Sequence, residues 1–289
     1  MSFTLFTDSC SNLPGWILGK LNIQVLPCQY TINNVAVAYN GDIETFDAHG
    51  YYNQMRAGAI VTTSLLNTQT FLDFFRPVLE AGQDIVYVGL SGGISGTIQA
   101  ATIAAAELKE EFEDRIIRIV DSMGAGLGTG LLTCLGADLR NEGMNADETA
   151  DKLDTERMNL CEYFTVDDLR YLRKTGRISA AAAAIGSVLN IKPLLRGDES
   201  GHIVNCAKLR GRKKAVEAIL TKYAEKIRNA EVSRVAISHG DCPEEAELLA
   251  ERVRQIAEPK ELIICPHEPF TGAHVGPGML AVFFFGNGR

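Results

Sequence analysis

Short apolar runs alternate with amphipathic stretches along most of the chain. Ile85–Leu90 is apolar on both faces, a pattern typical of a central strand that is covered on two sides. A serine- and glycine-rich turn, Ser91–Gly96, separates it from an alanine-rich helix predicted to begin near Thr97. Phe3–Thr7 and Ile116–Val120 repeat the order of short strand, polar turn and helix. This alternation predicts an α/β fold whose first half contains a largely parallel sheet.

An acidic helix predicted at Asn145–Leu160 ends the first half of the chain. We place a domain boundary at its end, because 289 residues are more typical of two domains than of one. The expected units are an N-terminal α/β domain at 1–159 and a C-terminal α/β domain at 160–289. In the latter, the glycine-rich stretch Thr271–Gly278 is expected to form a loop before an apolar terminal strand, Leu280–Phe285.

Four glycines alternate with larger residues between positions 124 and 130. A dinucleotide-binding G-x-G-x-x-G motif would need glycine at one of two positions that Thr129 and Leu131 occupy. We therefore expect the glycines to give one helix a smooth, close-packing face.

Composition is that of an ordinary globular protein, with 46% hydrophobic and 22% charged residues. No apolar run approaches the roughly 20 residues that cross a bilayer, and the first residues do not resemble a secretory signal. We therefore expect a cytoplasmic protein. The seven cysteines are scattered and form no C-x-x-C pair, and the five histidines show no i, i+4 pairing. These patterns predict reduced thiols and no metal site.

The net charge of −8 conceals a basic segment. Between Arg170 and Lys214 there are eleven lysines and arginines but only two acidic residues. An acidic protein is a poor general ligand for nucleic acid, so this segment is expected to contact a partner, a phosphate or a membrane. Arg173, Arg177 and Arg210 lie at turns beside apolar segments, which suits recognition of an anionic partner.

The turn after the central strand is a candidate anion site. Ser95 is expected to be the N-cap of the next helix, whose first N–H groups have no partner within the helix. Thr63, Ser95 and Thr97 offer hydroxyl groups without a nearby basic residue, a combination that suits a carboxylate better than a phosphate. His274 lies between glycines, and it is expected to face the ligand.

A competing interpretation is a serine hydrolase. Gly89–Gly93 matches G-x-S-x-G on a strand-to-helix turn, with Ser91 as the candidate nucleophile. Asp241, with either His274 or His267, would complete the order of serine, acid and histidine. No oxyanion segment of the H-G-G-G type precedes this turn, which weakens the interpretation.

Several motifs in order resemble the DegV family of bacterial fatty-acid-binding proteins along nearly the whole chain. The matching segments are Thr7-Asp8-Ser9, Thr63-Ser64, Ser91–Gln99, Val120-Asp121-Ser122, Asp168–Ile178, Leu189–Leu195, Arg210–Ala215 and His274–Gly278. The chain departs from the family pattern at Leu65-Leu66-Asn67, Gly92, Ile98, Thr175 and Val275. The departures leave the polar residues of the expected site in place.

The resemblance implies a two-domain DegV-like fold that buries a long-chain fatty acid, such as palmitate, stearate or oleate, between its domains. It also implies a protein without catalysis of its own, which presents the carboxylate to a separate ATP-dependent kinase subunit that forms the acyl phosphate. The expected carboxylate-binding residues are Thr63, Ser95, Gly96, Thr97 and His274. The expected contacts with the kinase subunit or the phosphate are Arg173, Arg177 and Arg210. No further cofactor is expected.

The acyl chain needs an apolar tunnel behind this site, because burial of methylene groups supplies most of the affinity. The tunnel candidates are apolar residues that follow the anion site or lie in the second half. They are Ile94, Ile98, Ile185, Val188, Leu189 and the terminal run Phe283–Phe285.

Overall fold

The computed structural model describes residues 3–39, 41–179 and 190–289. Within these ranges the helices and strands alternate as the sequence predicts for an α/β protein. The strands are β1 (Phe3–Asp8), β2 (Ile23–Leu26), β3 (Gln29–Ile32), β4 (Val35–Val37), β5 (Val61–Ser64), β6 (Asp84–Gly89), β7 (Ile117–Asp121), β8 (Leu160–Thr165), β9 (Ile191–Gly197), β10 (Ile203–Arg210), β11 (Arg234–His239), β12 (Glu261–Pro266) and β13 (Leu280–Phe285). The helices are α1 (Gly15–Lys20), α2 (Ala48–Arg56), α3 (Thr68–Glu80), α4 (Thr97–Glu111), α5 (Leu127–Asn141), α6 (Ala146–Glu156), α7 (Arg170–Lys174), α8 (Arg212–Lys226), α9 (Pro243–Ile256) and α10 (Pro269–Val275).

The first sheet is parallel and has the strand order β2-β1-β6-β7. Its central strand β6 is buried along its whole length, as its unbroken apolar sequence requires. Side chains alternate between two cores, with Val86 facing α5 and α6 and Tyr87 facing α3 and α4. The predicted parallel sheet with flanking helices is confirmed. A separate antiparallel sheet of order β4-β3-β5 lies beside it and carries Thr63.

The second sheet has six strands in the order β10-β9-β8-β13-β11-β12. Of its pairs only β11 and β12 run parallel, so the largely parallel arrangement is confined to the first sheet. On β13 the alternation places Phe284 against α8 and α9, whereas Phe283 faces the opposite core together with Ala281. The side of the sheet that carries Phe283 therefore faces the first sheet.

Helix α5 lies between the two sheets, and most of its residues are buried. Two of the alternating glycines admit close neighbours here. A Cβ on Gly130 would lie 2.5 Å from the carbonyl oxygen of Ser11, and one on Gly128 would collide with the carboxylate of Glu162. The expected close-packing helix face is present at Gly128 and Gly130, but Gly124 and Gly126 precede the helix, so the prediction holds for only two of the four glycines.

Two local predictions are wrong. The acidic helix ends at Glu156 and continues only as a short 3₁₀ turn at Arg157–Asn159. The stretch expected to be a loop instead forms α10, with Pro269 in its first turn. The Glu268 side chain caps this helix by accepting hydrogen bonds from the N–H groups of Phe270 and Thr271. The buried side chain of Glu268 thus starts a helix in a stretch whose glycines suggested a loop.

Contacts between the halves of the chain fix α2 against α10. The Tyr51 hydroxyl donates to the carbonyl of Pro269 at 2.6 Å, and the Tyr52 hydroxyl donates to that of His267 at 2.9 Å. Arg56 also pairs with Asp241. These contacts join the first half of the chain to the second. No helix in the described ranges is long and apolar enough to cross a membrane.

Candidate functional site

A cavity lies between the first and second sheets, with an empty volume of about 1180 Å³ that includes its opening to solvent. Its walls come from both halves of the chain. The lining residues include Cys10, Cys28, Thr63, Ser64, Leu65, Leu90, Ile94, Ser95, Gly96, Thr97, Met123, Gly124, Ala125, Glu162, Phe164, Leu172, Arg177, Gly197, Gly201, Ile203, His267, Phe270, Thr271, His274, Val275, Met279, Ala281 and Phe283.

The predicted head-group residues meet at this cavity although they are distant in sequence. Thr63 is the penultimate residue of β5 in the small sheet, and His274 lies in the last turn of α10. The Thr63 hydroxyl is 3.1 Å from His274 Nε2. Ser95 and Thr97 line the same cavity, and their hydroxyls are 3.0 Å apart. Three hydroxyl groups and one imidazole group therefore line the same cavity.

His274 is held neutral. Burial lowers its pKa to about 4, and the positive charge of Arg177 acts in the same direction. Nδ1 of His274 is buried and has no hydrogen-bond partner among the described residues. A neutral imidazole beside a guanidinium leaves the net charge of this part of the cavity positive, which favours an anionic ligand.

Arg177 is fixed beside the cavity by backbone carbonyls. Its Nε donates to Ile94 at 3.3 Å, and its Nη1 donates to Thr175 at 2.5 Å. Its charge has no carboxylate partner among the described residues. Arg173 and Arg210 are exposed and do not line the cavity in the described part of the chain. The three predicted arginines are therefore not one cluster.

The predicted helix cap is off by one residue. Gly96, not Ser95, is the N-cap of α4. Ser95 still contributes locally, because its Oγ accepts the N–H of Thr97 at 3.3 Å. Gly96 has no side chain to cap the helix, so the start of α4 opens directly onto the cavity.

Some of the residues predicted to line the tunnel line the cavity, and others pack in the core. Ile94 and Phe283 line the cavity. Ile98 packs against the core formed with α3 and α4, and Phe284 packs on the far side of the second sheet. Phe285 is also absent from the lining of the described chain. Ile185, Val188 and Leu189 lie outside the described residues.

Sequence reasoning missed much of the apolar wall. The missed residues include Leu90, Phe164, Leu172, Ile203, Phe270 and Met279. The two-residue period of β8 and β13 gives a usable signal, because Phe164 pairs with Ala281 and both line the cavity. The others lie in turns, in the short helices α7 and α10 or at the start of β10, and only the tertiary structure brings them to the cavity.

The geometry gives Ser91 no hydrolase machinery. Its hydroxyl is buried, donates to the carbonyl of Gly201 at 2.9 Å and accepts the N–H of Gly93. Asp241 pairs with Arg56 and His49 instead of a catalytic histidine. His267 is buried between the hydroxyls of Ser238 and Thr271, at 2.8 and 2.7 Å. In the described chain no histidine contacts Ser91.

Two cysteines and an acid form the densest cluster of potential metal ligands among the described residues. Asp8, Cys10 and Cys28 bring one ligand atom each within 4.8 Å of one another, and the sulfur atoms are 3.7 Å apart. Asp8 already accepts hydrogen bonds from Tyr87 at 2.5 Å and from the Cys10 N–H at 2.9 Å. The sulfur contact with Cys28 and burial hold the pKa of Cys10 well above its usual range, which keeps this thiol protonated.

Comparison with known proteins identifies relatives along the whole chain. A family model described as an uncharacterised protein of the DegV family matches residues 2–287. A DegV domain-containing protein of Clostridium perfringens is 38% identical over 285 residues, which cover 99% of this chain and 98% of that protein. A DegV domain-containing protein of Lactococcus lactis is 32% identical over 283 residues, covering 98% and 97%.

Solved structures show the same fold. A fatty-acid-binding DegV-family protein from Thermus thermophilus has a TM-score of 0.87 at 27% identity, covering 99% of this chain and all of that one. A fatty-acid-binding DegV-family protein from Streptococcus agalactiae has a TM-score of 0.84 at 26% identity, covering 99% of each chain. The resemblance and the predicted two-domain α/β fold are confirmed, and this chain belongs to the DegV family.

Proposed function

We propose that the protein binds a long-chain fatty acid, such as palmitate, stearate or oleate, in the cavity between its two sheets. The observation that carries this proposal is a largely apolar cavity whose lining also contains hydroxyl groups, the neutral imidazole of His274 and the guanidinium of Arg177. Fatty-acid binding by the related proteins of Thermus thermophilus and Streptococcus agalactiae supports it. The DegV protein of Bacillus subtilis, 26% identical with a TM-score of 0.83, is also a fatty-acid-binding protein.

The polar and apolar parts of the cavity wall each fit one part of the proposed ligand. A carboxylate accepts hydrogen bonds, so the hydroxyls of Thr63 and Ser95 donate to it while Arg177 supplies positive charge. The acyl chain lies along apolar residues such as Phe164 and Phe283. Burial of the chain provides affinity, and the polar groups fix which end of the ligand faces Thr63.

The finer part of the proposal concerns what happens to the bound carboxylate. The protein performs no catalysis, and it presents the carboxylate to a separate ATP-dependent kinase subunit that forms an acyl phosphate for phospholipid synthesis. Exposed Arg173 and Arg210 would contact that subunit, the phosphate or a membrane during lipid exchange, whereas Arg177 serves the head group. We place this activity in the cytoplasm and retain the division into units 1–159 and 160–289.

Native mass spectrometry of the purified protein tests the first part. We expect one retained fatty acid per chain, removable by organic extraction and restored by added oleate. A protein that is folded, empty and unable to take up oleate would contradict fatty-acid binding.

Reconstitution with the ATP-dependent subunit from the same organism tests the second part. Trapping with hydroxylamine measures acyl phosphate as the hydroxamate. Arg173→Glu should slow formation while oleate affinity stays unchanged, and Arg254→Glu is the matched control because Arg254 is exposed outside the basic segment. Equal rates for wild type and both variants would contradict a role for Arg173 in the partner contact.

A further inference from the structure

One acidic side chain interrupts the wall of the cavity. Among the lining residues that the structure describes, Glu162 is the only acidic one, and its side chain is 7% exposed. It projects from β8 at the position paired with Phe283, which also lines the cavity. A carboxyl group against an acyl chain is costly unless something polar satisfies it. The site described so far gives this group no role.

The backbone around Glu162 is shaped to admit its carboxyl group. A Cβ on Gly124 would lie 2.7 Å from Oε1, and one on Gly197 would lie 3.1 Å from Oε2. Gly128 makes the third close approach. Gly124 and Gly197 also line the cavity, so the carboxyl group and the glycines around it belong to the same wall.

The protein satisfies Glu162 only in part. Oε1 accepts the N–H of Ala125 at 2.8 Å, and Oε2 receives one contact from Arg289 at 3.3 Å. A carboxylate offers about four lone-pair sites, so acceptor capacity remains. The partner is also incompletely satisfied, because Arg289 Nε is buried without a hydrogen-bond partner. Burial raises the pKa of Glu162 to about 7, although Arg289 acts in the opposite direction.

The cavity wall that carries Glu162 extends along β13. The lining residue Met279 directly precedes β13, and the strand then leads to Phe283, which also lines the cavity. Four residues of strand advance about 13 Å. Glu162 therefore lies beside the part of the wall at Phe283, about 13 Å along the strand from Met279.

We propose that Glu162 recognises a hydroxyl group on the acyl chain, so that the preferred ligand is a hydroxy fatty acid. This inference rests on the proposed fatty-acid binding and names the ligand class more closely. The hydroxyl donates to a free carboxylate lone pair, or accepts a hydrogen bond when Glu162 is protonated. An unsubstituted chain leaves that capacity unused.

Competition binding with stearate and a series of monohydroxystearates, with the hydroxyl at successive carbons, tests the proposal. We expect at least one isomer to bind the wild-type protein about tenfold more tightly than stearate. The preference should disappear in Glu162→Met/Arg289→Met, a double variant chosen because it leaves no buried charge unpaired. Phe164→Leu is the control, since it should weaken stearate and the preferred isomer by the same factor.

The outcomes separate the two proposals. Stearate binding with no isomer preferred, or a preference that survives in the double variant, overturns the role of Glu162 and leaves fatty-acid binding intact. Wild-type protein that binds neither stearate nor any isomer overturns both. Should the double variant fail to fold, Glu162→Met alone takes its place. It keeps a side chain of similar length without a carboxyl group, and an isomer preference identical to that of wild type would count against recognition by Glu162.

Discussion

Removing a single hydroxyl at the head-group site tests the proposed division between affinity and orientation. Thr63→Val keeps the shape of the side chain and deletes the group that lies 3.1 Å from His274 Nε2. Thr62→Val is the matched control, because Thr62 is exposed on the other face of the same strand. Any difference between the two variants then arises from the hydroxyl that faces the cavity.

The expected magnitude follows from the two terms in binding. Burial of about fifteen methylene groups contributes ~12 kcal/mol before association costs are subtracted. A hydrogen bond to a charged group contributes about 1.5–3 kcal/mol. Thr63→Val should therefore raise the Kd for oleate by about 10- to 150-fold without abolishing binding. Thr62→Val should leave the Kd unchanged.

Isothermal titration calorimetry with oleate and with oleyl alcohol measures the effect. The alcohol retains the chain and lacks the carboxylate, so Thr63→Val should weaken its binding much less than that of oleate. An equal loss for both ligands would refute the assignment of Thr63 to the carboxylate. Equal oleate affinity in wild type and Thr63→Val would refute it as well.

Three further outcomes follow from the structure. Burial lowers the pKa of His267 to about 3, so the contribution of this residue to stability is complete above pH 6.5 and is lost as the pH falls toward 3. Urea unfolding across this range should show that the difference in free energy of unfolding between wild type and His267→Gln shrinks by up to about 1.4 kcal/mol per pH unit. A difference that stays constant would contradict this prediction. Gly128→Ala should lower the free energy of unfolding by about 1–3 kcal/mol in the same assay, because the added Cβ meets Glu162. Gly19→Ala, which has open space around it, should be neutral or stabilising. Equal effects of the two substitutions would contradict the packing of α5. Cys206 is exposed, so iodoacetamide should modify it first in the native protein, and faster labelling of Cys134, whose buried thiol has a pKa raised to about 12, would contradict the fold.

The sequence was sufficient wherever a local pattern and the tertiary environment agree. The two-sided apolar run of β6 and the turn after it predicted a central strand and its helix, and both are present. Thr63 and Ser95 could be proposed for one site because motif resemblance linked segments far apart in the chain. The structure brings both to the same cavity.

Where the prediction failed, a distant or buried group decides the local conformation. Glycines around His274 suggested a loop, yet Glu268 and Pro269 begin a helix there by capping and by a fixed φ. Proline at the first helical position after an acid was a usable signal that the glycines masked. No local sequence signal predicted the environment of Glu162. The glycines around its carboxyl group come from two separate stretches of chain, 124–128 and β9, and its strand partner comes from β13.

The position of β13 has a consequence for synthesis of the protein. It is the last strand along the chain, yet it lies inside the second sheet between β8 and β11. The first sheet is complete once β7 has emerged from the ribosome. The second sheet lacks the strand between β8 and β11 until residues 280–285 follow. In a nascent chain, the wall of the cavity that Ala281 and Phe283 line is therefore absent until β13 inserts between β8 and β11.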